Sequence, residues 1–307
     1  MAEDTPERRQ QKGRDVARAC HSEGASPKEP TQSAAGDLAW ADRARRGASD
    51  GLCLAEGTRL LERALSAGLR PRKVLISERA AREPSRAEAR ALAAARAAGF
   101  EIRVVDDAAI AQRTEGRTFG DVLTILPRPR VRAEDLLAKP GPLVALERVL
   151  DPGNLGTIAR TAAAFGYAGL LVVGGTDPFH PKALRTSMGA LFRLPVVHVG
   201  DDGPAWVARA KAAGRPSVAT WLGGTPLGSL LAGGLAGSDR ALWWLGSEAH
   251  GLRAETAAAA DRRVEVEMPG ADDGRSVDSL SIGAAAAVVL WAGSAAAATF
   301  SQRRGEG

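Results

Sequence analysis

Strand-like and helix-like apolar patterns begin only after a polar amino-terminal stretch. Residues 1–49 are polar and charged without sustained periodicity, which predicts a mostly disordered tail. The next segment, 53–69, has apolar residues at helical spacing and ends near Gly68, which predicts a helix closed by glycine. Further on, the pattern predicts strands over 73–77, 101–105 and 121–127 and a helix over 86–98. These elements predict a small α/β domain over residues 50–128.

A second series of elements follows a proline-rich linker at residues 129–142. From residue 143 apolar strands alternate with helices, a pattern typical of a parallel sheet. The predicted strands are 143–146, 169–173, 196–199, 217–220, 241–245 and 264–267. The predicted helices lie near 154–165, 182–191, 205–213, 253–260 and 279–298. The sequence therefore predicts a second α/β domain over 143–300 and a short tail over 301–307.

The net charge of +5 comes from one part of the chain. Residues 51–130 hold fifteen Lys/Arg against ten Asp/Glu, whereas basic and acidic residues balance before and after them. This favours a module that binds a polyanion, although an ordinary solvated surface would give the same count. Arginine supplies nearly all of these cations, and its planar fork suits phosphate groups better than lysine does.

Several classes of protein are disfavoured by what the sequence lacks. No run of about 18 apolar residues predicts a membrane span, and the amino terminus has no apolar secretory core. Two cysteines exclude a disulfide scaffold and a cysteine-built zinc site, and the four histidines show no metal-ligand spacing. The glycine fingerprints of dinucleotide and phosphate-loop proteins and the G-x-S-x-G of hydrolases do not occur. We therefore expect a cytoplasmic protein without a metal.

Three segments combine polar residues and glycines where predicted strands end. They read DPGNLGTIARTAAAFG (151–166), WWLGSEAHGL (243–252) and VEMPGADDGRSVDSLSIGAAAAVVL (266–290). In order and content they resemble the three motifs of the TrmH/SpoU family of RNA ribose 2′-O-methyltransferases, within the knotted SPOUT superfamily. The segment AEGTRLLE (55–62), followed by KVLIS and DVL, resembles the small substrate-binding domain of the family members that act on ribosomal RNA. The resemblance covers residues 51–298.

The resemblance implies a fold, a cofactor and partners. It implies an α/β protein with a carboxy-terminal parallel-sheet SPOUT domain containing a deep trefoil knot, preceded by a small α/β RNA-binding domain. It further implies S-adenosylmethionine as the cofactor, RNA (ribosomal RNA above all) as the substrate, and a homodimer built from the first-motif helix and the last helix. No metal and no membrane contact are implied.

The same resemblance assigns catalysis to four residues. Arg160 would position the substrate phosphate and stabilise the developing oxyanion. A guanidinium is a poor base, but it can donate paired hydrogen bonds to a phosphate. Glu248 would orient the pair of Asn154 and Arg160, or the substrate. Ser281 stands where the family usually has Asn, and a hydroxyl lacks the amide's simultaneous donor and acceptor reach. The plainer alternatives are a helix cap for Asn154, a solvated side chain for Arg160 and a loop ion pair for Glu248.

The resemblance also assigns binding residues. Those expected at the cofactor are Thr220, Trp221, Leu222, Gly246, Met268, Ser279 and Leu280. Those expected at the RNA are Arg59, Arg117, Arg185 and Ser187. Simple core packing remains the alternative for Met268 and Leu280. At the level of function, the alternatives are a transfer-RNA 2′-O-methyltransferase and an RNA-binding homologue whose catalysis is impaired by Ser281.

Overall fold

The chain forms two compact units in a computed structural model that describes residues 34–47, 51–114, 120–232, 238–268 and 279–294. The first unit combines Met1–Arg130 with Phe179–Arg193, and the second combines Val131–Pro178 with Leu194–Gly307. The strands are β1 (Leu52–Glu56), β2 (Lys73–Ser77), β3 (Ile102–Val105), β4 (Val122–Pro127), β5 (Leu143–Glu147), β6 (Gly169–Val173), β7 (Val196–Val199), β8 (Ser217–Pro226), β9 (Leu242–Leu245) and β10 (Arg262–Glu265). The helices are α1 (Ala34–Arg46), α2 (Thr58–Ser66), α3 (Glu78–Arg82), α4 (Arg86–Ala97), α5 (Asp107–Ala111), α6 (Ala133–Ala138), α7 (Pro152–Ala164), α8 (Pro181–Thr186), α9 (Gly203–Ala212), α10 (Leu227–Ala232), α11 (Ala254–Ala259) and α12 (Ile282–Ala292).

The first unit is built on a four-stranded sheet in the order β1-β4-β2-β3. Strand β4 runs antiparallel to both of its neighbours, whereas β2 and β3 are parallel. The first part of the predicted helix over residues 53–69 is wrong, because Leu52–Glu56 forms strand β1. All five residues of β1 are buried, so the polar alternation that marks a half-exposed strand is missing.

Helix α1 lies in the stretch that the sequence analysis assigned to a disordered tail. Trp40, Ala41 and Ala44 are buried in a core cluster with residues of β1, β2 and β4. Asp37 is buried on the same helix and pairs with Lys73 Nζ at 2.5 Å. Burial of a few small or aromatic side chains thus stabilises a segment whose average composition is polar.

The second unit is built on a six-stranded sheet in the order β10-β8-β9-β5-β6-β7, with all pairs parallel. The α/β class and the parallel sheet expected from the sequence are confirmed. From β5 the chain builds β6 and β7 on one side, and then returns so that β9 pairs with the other side of β5. In parallel sheets this reversal of direction opens a crevice at the carboxyl ends of the strands.

The amino-terminal edge of the second sheet is held by a buried arginine. Arg215 is fully buried, and its guanidinium donates to the carbonyls of Leu137, Gly141, Arg240 and Lys139. Burial, with a smaller contribution from the charge of Arg240, lowers the pKa of Arg215 to about 10. The side chain is therefore charged at neutral pH and joins three chain segments at the end of the sheet opposite to the crevice.

The helices of the described segments are short or interrupted by polar residues. No described helix has the length and apolarity that crossing a membrane requires. Helix α12 packs against α7 in the second unit. The predicted helix over 279–298 is described as Ile282–Ala292, and its last four predicted residues lie outside the described ranges.

Candidate active site

A cavity of about 570 Å³ opens at the carboxyl ends of β8, β9 and β10 in the second unit. Its walls are the middle of β8, the last residues of β9 and β10, the segments that follow β9 and β10, and the start of α12. The seven positions expected at a cofactor line this one cavity, as does one of the expected catalytic residues: Thr220, Trp221, Leu222, Gly246, Met268, Ser279, Leu280 and Glu248. The volume falls within the range of about 300–1,000 Å³ that is typical of small-molecule sites.

One wall of the cavity is a bulge in strand β8. The pairing of β10 with β8 jumps between Arg263, opposite Ala219, and Val264, opposite Thr225. The residues in between leave the ladder, and Thr220–Leu222 among them face the cavity. Thr220 Oγ1 donates to the carbonyl of Trp244 at 2.9 Å, which fixes the start of the bulge to β9. Bulges of this kind commonly redirect side chains towards a site.

A second wall is the tight loop after β9. Ser247 and Gly251 exchange two backbone hydrogen bonds of 3.0 and 2.8 Å, and Gly251 has a φ of +65°. A Cβ atom on Gly246 would lie 1.9 Å from the backbone of Gly251, so only glycine fits at this position. Two glycines therefore let the loop fold back on itself and carry Glu248 to the cavity.

The far end of this loop is anchored by a buried carboxylate. Glu147, at the end of β5, is 1% exposed and accepts hydrogen bonds from Arg253 N at 2.8 Å, Arg253 Nε at 2.9 Å and Thr256 Oγ1 at 2.6 Å. Burial lowers the pKa of Arg253, but the hydrogen bond and charge of Glu147 outweigh it, so the pKa lies above its ordinary value. Glu147 thereby connects the end of β5 to the start of α11, directly after the cavity loop.

Asn154 and Glu248 meet although 94 positions separate them in the sequence. Asn154 Nδ2 donates to Glu248 Oε2 at 3.0 Å. The helix cap considered for Asn154 is provided instead by Asp151, whose Oδ1 accepts from Gly153 N at 2.8 Å. Asn154 therefore has its amide available for Glu248, at the mouth of the crevice beside β5.

Arg160 and Ser281 are not among the residues that line the cavity. Arg160 is exposed on α7, and within the described ranges its guanidinium has no hydrogen bond or ion pair. Ser281 is the N-cap of α12, and its Oγ accepts from Ala284 N at 3.3 Å. The cavity is lined instead by the neighbours of Ser281, namely Ser279, Leu280 and Ile282.

The expected RNA-binding residues differ in their availability. Arg59 is exposed, whereas Arg117 lies outside the described residues. Arg185 is largely buried and pairs with the fully buried side chain of Glu56 at 2.5 Å. Ser187 is 1% exposed and donates to the carbonyl of Leu184. Of these four residues, Arg59 alone is described with an accessible side chain.

Some residues of the site carry no signal in the sequence. Glu147 lies in an apolar strand, and Glu265 in β10 lines the cavity while its Oε2 accepts from Gly223 N at 2.8 Å. Neither residue belongs to a glycine-rich segment, so nothing in the local sequence distinguishes them from surface carboxylates. Across the described ranges, no group of three or more His, Cys, Asp and Glu is arranged to hold a metal ion.

Comparison with known proteins finds relatives of this chain in sequence and in structure. The model of the SpoU rRNA Methylase family matches residues 141–291. A 23S rRNA (uridine(2479)-2'-O)-methyltransferase of Streptomyces viridochromogenes is 34% identical over 151 residues, 48% of this chain and 50% of that protein. The chain thus spans about half the length of this relative.

Two further matches extend over most of the chain. The 23S rRNA (guanosine(2553)-2'-O)-methyltransferase RlmP of Bacillus subtilis is 28% identical over 240 residues, covering 78% of this chain and 86% of that protein. The AdoMet-bound rRNA methyltransferase structure from Sinorhizobium meliloti has 26% identity and a TM-score of 0.67, covering 88% of this chain and 98% of its own. The sequence motifs, the parallel sheet and these matches agree in relating residues 141–291 to the SpoU rRNA Methylase family.

Proposed function

We propose that this protein transfers the methyl group of S-adenosylmethionine to a ribose 2′-hydroxyl of RNA, releasing S-adenosylhomocysteine and the hydroxyl proton, with ribosomal RNA as the substrate. The observation that carries the proposal is the cavity built from β8, β9 and β10 beside the Asn154–Glu248 pair. Two relatives that bear the name of 23S rRNA 2′-O-methyltransferase support the choice of RNA.

The cavity has the character that an adenosine derivative with a positive charge requires. Apolar side chains of Leu245, Met268 and Ile282 provide surfaces for a flat base, and the carboxylates of Glu248 and Glu265 favour a nearby cation. The backbone of residues 246–252 and 279–280 would hold the polar edges. When bound, S-adenosylmethionine supplies a methyl group already activated by its positively charged sulfur.

The protein residues would act on the acceptor ribose. Arg160 binds the phosphate beside the target nucleotide and stabilises negative charge on the 2′-oxygen. Glu248 and Asn154, joined by their 3.0 Å hydrogen bond, hold the ribose in line with the methyl group. Ser281 acts by fixing the first turn of α12 against the cavity. Asn154 and Glu248 thus align the ribose, and the exposed guanidinium of Arg160 stabilises the charge on the 2′-oxygen.

Three further features belong to the proposal. The chain entering α12 passes through a neighbouring loop to form a trefoil knot, which the small residues of Gly283–Ala287 would permit. Two copies pair through α7 and α12. The residues of α12 are apolar or glycine, and Val288 among them is 41% exposed. The protein acts in the cytoplasm, where its RNA substrate is made.

Transfer of a labelled methyl group tests the proposal directly. The purified chain is incubated with methyl-labelled S-adenosylmethionine and protein-free 23S ribosomal RNA, and in parallel with transfer RNA. We expect label in the ribosomal RNA. Label in transfer RNA alone would favour the transfer-RNA alternative, and cofactor binding by calorimetry without any transfer would favour the impaired homologue.

A further inference from the structure

We infer that an arginine strip on the first unit, formed by Arg59, Arg63 and Arg193, binds consecutive phosphates of the substrate RNA. The inference rests on the proposed function and deepens it, because it names the surface that holds the RNA backbone. Two of the three arginines were not among the residues expected to contact RNA.

Helix α2 presents two of these arginines on one face. Arg59, Arg63 and Ser66 lie within about 60° of one another around the helix axis and span about 10 Å along it. Both arginines are exposed. Like charges four residues apart on a helix repel each other, so this arrangement costs stability unless an anion binds between them.

The third arginine comes from a distant part of the sequence. Residues 179–193 connect two strands of the second sheet but belong to the first compact unit. Arg193 donates from Nη2 to the carbonyl of Ser66 at 2.6 Å and to its Oγ at 3.1 Å. Nη2 of the exposed guanidinium is held in this way, and the N–H groups on Nε and Nη1 remain available to bind a phosphate.

The backbone before Arg193 is shaped to follow α2 closely. Met188 and Gly189 both have positive φ, +52° and +77°, and a Cβ on Gly189 would lie 2.8 Å from Arg63 Cβ. Met188 Sδ lies 3.9 Å from Arg59 Nη1. A left-handed conformation at a non-glycine residue is costly and tends to occur where geometry serves a function.

The carboxylates of this neighbourhood are already neutralised. Glu62 on α2 pairs with Arg90 at 2.6 Å, and Glu56 before α2 pairs with Arg185. Among the described residues, no carboxylate pairs with Arg59, Arg63 or Arg193. Three guanidiniums without a counter-charge form a site for a chain of regularly spaced anions, and an RNA backbone provides one.

The salt dependence of RNA binding tests the strip. The full-length triple variant Arg59→Gln, Arg63→Gln, Arg193→Gln is compared with the wild type for filter binding to protein-free 23S ribosomal RNA over a series of KCl concentrations. Each lost phosphate contact to a single strand reduces the slope of log K against log salt by about 0.7. We expect a slope smaller by about 2 and binding about 100-fold weaker at 0.1 M salt.

Two control variants separate a specific strip from general charge. The variant Arg82→Gln, Arg86→Gln, Arg96→Gln removes the same charge from exposed positions of α3 and α4, and it should keep most of the wild-type slope. Lysine at the three strip positions should restore the slope, because it retains the charge. Equal losses in the strip variant and the α3–α4 variant would overturn the inference.

The failure of this inference differs from the failure of the proposed function. If the wild type methylates the RNA but the strip variant binds it as tightly, the strip is wrong and the function stands. If the wild type neither binds nor methylates the RNA while it binds S-adenosylmethionine, both proposals fail. Calorimetric affinity for S-adenosylmethionine should be the same in all variants, since the cavity lies in the second unit.

Discussion

Asn154 and Arg160 are carried by the same helix about 1.7 turns apart, and their surroundings differ. Asn154 is fixed by its hydrogen bond to Glu248, a residue of the cavity. Arg160 is exposed and has no partner among the described residues. A long charged side chain without a partner contributes little to stability, so its replacement can be used to test the proposed contact with RNA.

Replacing Arg160 therefore tests function without disturbing the fold. We expect Arg160→Ala to lower methyl transfer by a factor on the order of 10² to 10³, as for the loss of one oxyanion-stabilising donor. The free energy of unfolding should change by less than about 0.5 kcal/mol, because the side chain is exposed. Single-turnover label transfer and urea unfolding measure the two effects. Unchanged transfer in this variant would reject the role of Arg160.

Ser281 caps the amino terminus of α12, and asparagine, which the family usually has at this position, could also cap it. Ser and Asn are nearly equal as helix N-caps, so Ser281→Asn should keep the stability of the protein, whereas Ser281→Ala should lose about 1 kcal/mol. If Ser281 supports catalysis only as a cap, Ser281→Asn retains full methyl transfer. A large loss of transfer in Ser281→Asn at unchanged stability would contradict this account.

Among the structural elements, the loop after β9 is held at its carboxyl end by the buried carboxylate of Glu147. Glu147 satisfies a backbone N–H, a guanidinium and a hydroxyl at the start of α11, and these groups are left without an acceptor if the carboxylate is removed. We expect Glu147→Ala to lower the free energy of unfolding by about 2–4 kcal/mol. Urea unfolding measures this loss.

An exposed carboxylate on α11, the helix that Glu147 contacts, provides the matched control. Glu255 is exposed on α11, and Glu255→Ala should change stability by less than about 0.5 kcal/mol. Glu147→Gln keeps one acceptor oxygen and should lose less than Glu147→Ala. Equal stability of Glu147→Ala and Glu255→Ala would show that the buried contact does not hold the loop.

Elements with a clear local apolar pattern could be predicted from the sequence. Elements that depend on contacts between distant parts of the chain could not. Strands β6 and β7 appear with the predicted bounds, because each is an apolar run bordered by turn residues. Strand β1 was assigned to a helix because its buried faces leave no alternation, and α1 was missed because a few buried residues outweigh its polar composition. The motifs and the family resemblance indicated eight residues that line the cavity, but nothing local indicated Glu265 or Glu147.

At the scale of the whole molecule, the first unit is not simply the amino-terminal part of the chain. Residues 179–193 belong to it and bury Leu184, Leu191 and Phe192. We expect a fragment that begins at residue 131 to expose this apolar surface and to aggregate, which gel filtration would detect. A monodisperse fragment with a wild-type melting temperature would contradict the assignment of residues 179–193 to the first unit.

The proposed pairing of two copies makes a separate prediction. Val288→Lys places a charge on the exposed face of α12, so the variant should sediment as a monomer at concentrations where the wild type is a dimer. Ala212→Lys, on α9, serves as a control that should leave the dimer intact. Analytical ultracentrifugation distinguishes the two, and a monomeric wild type would remove the dimer from the account.

The most direct measurement of the central claim is the position of the transferred methyl group. A methyl group on the ribose 2′-oxygen blocks alkaline cleavage of the following phosphodiester, whereas a methyl group on a base does not. We predict that label transferred by the wild type to 23S ribosomal RNA is recovered in alkali-resistant dinucleotides, and that Arg160→Ala yields little of it. Label recovered only in mononucleotides, or no transfer by a protein that binds both RNA and S-adenosylmethionine, would contradict the account.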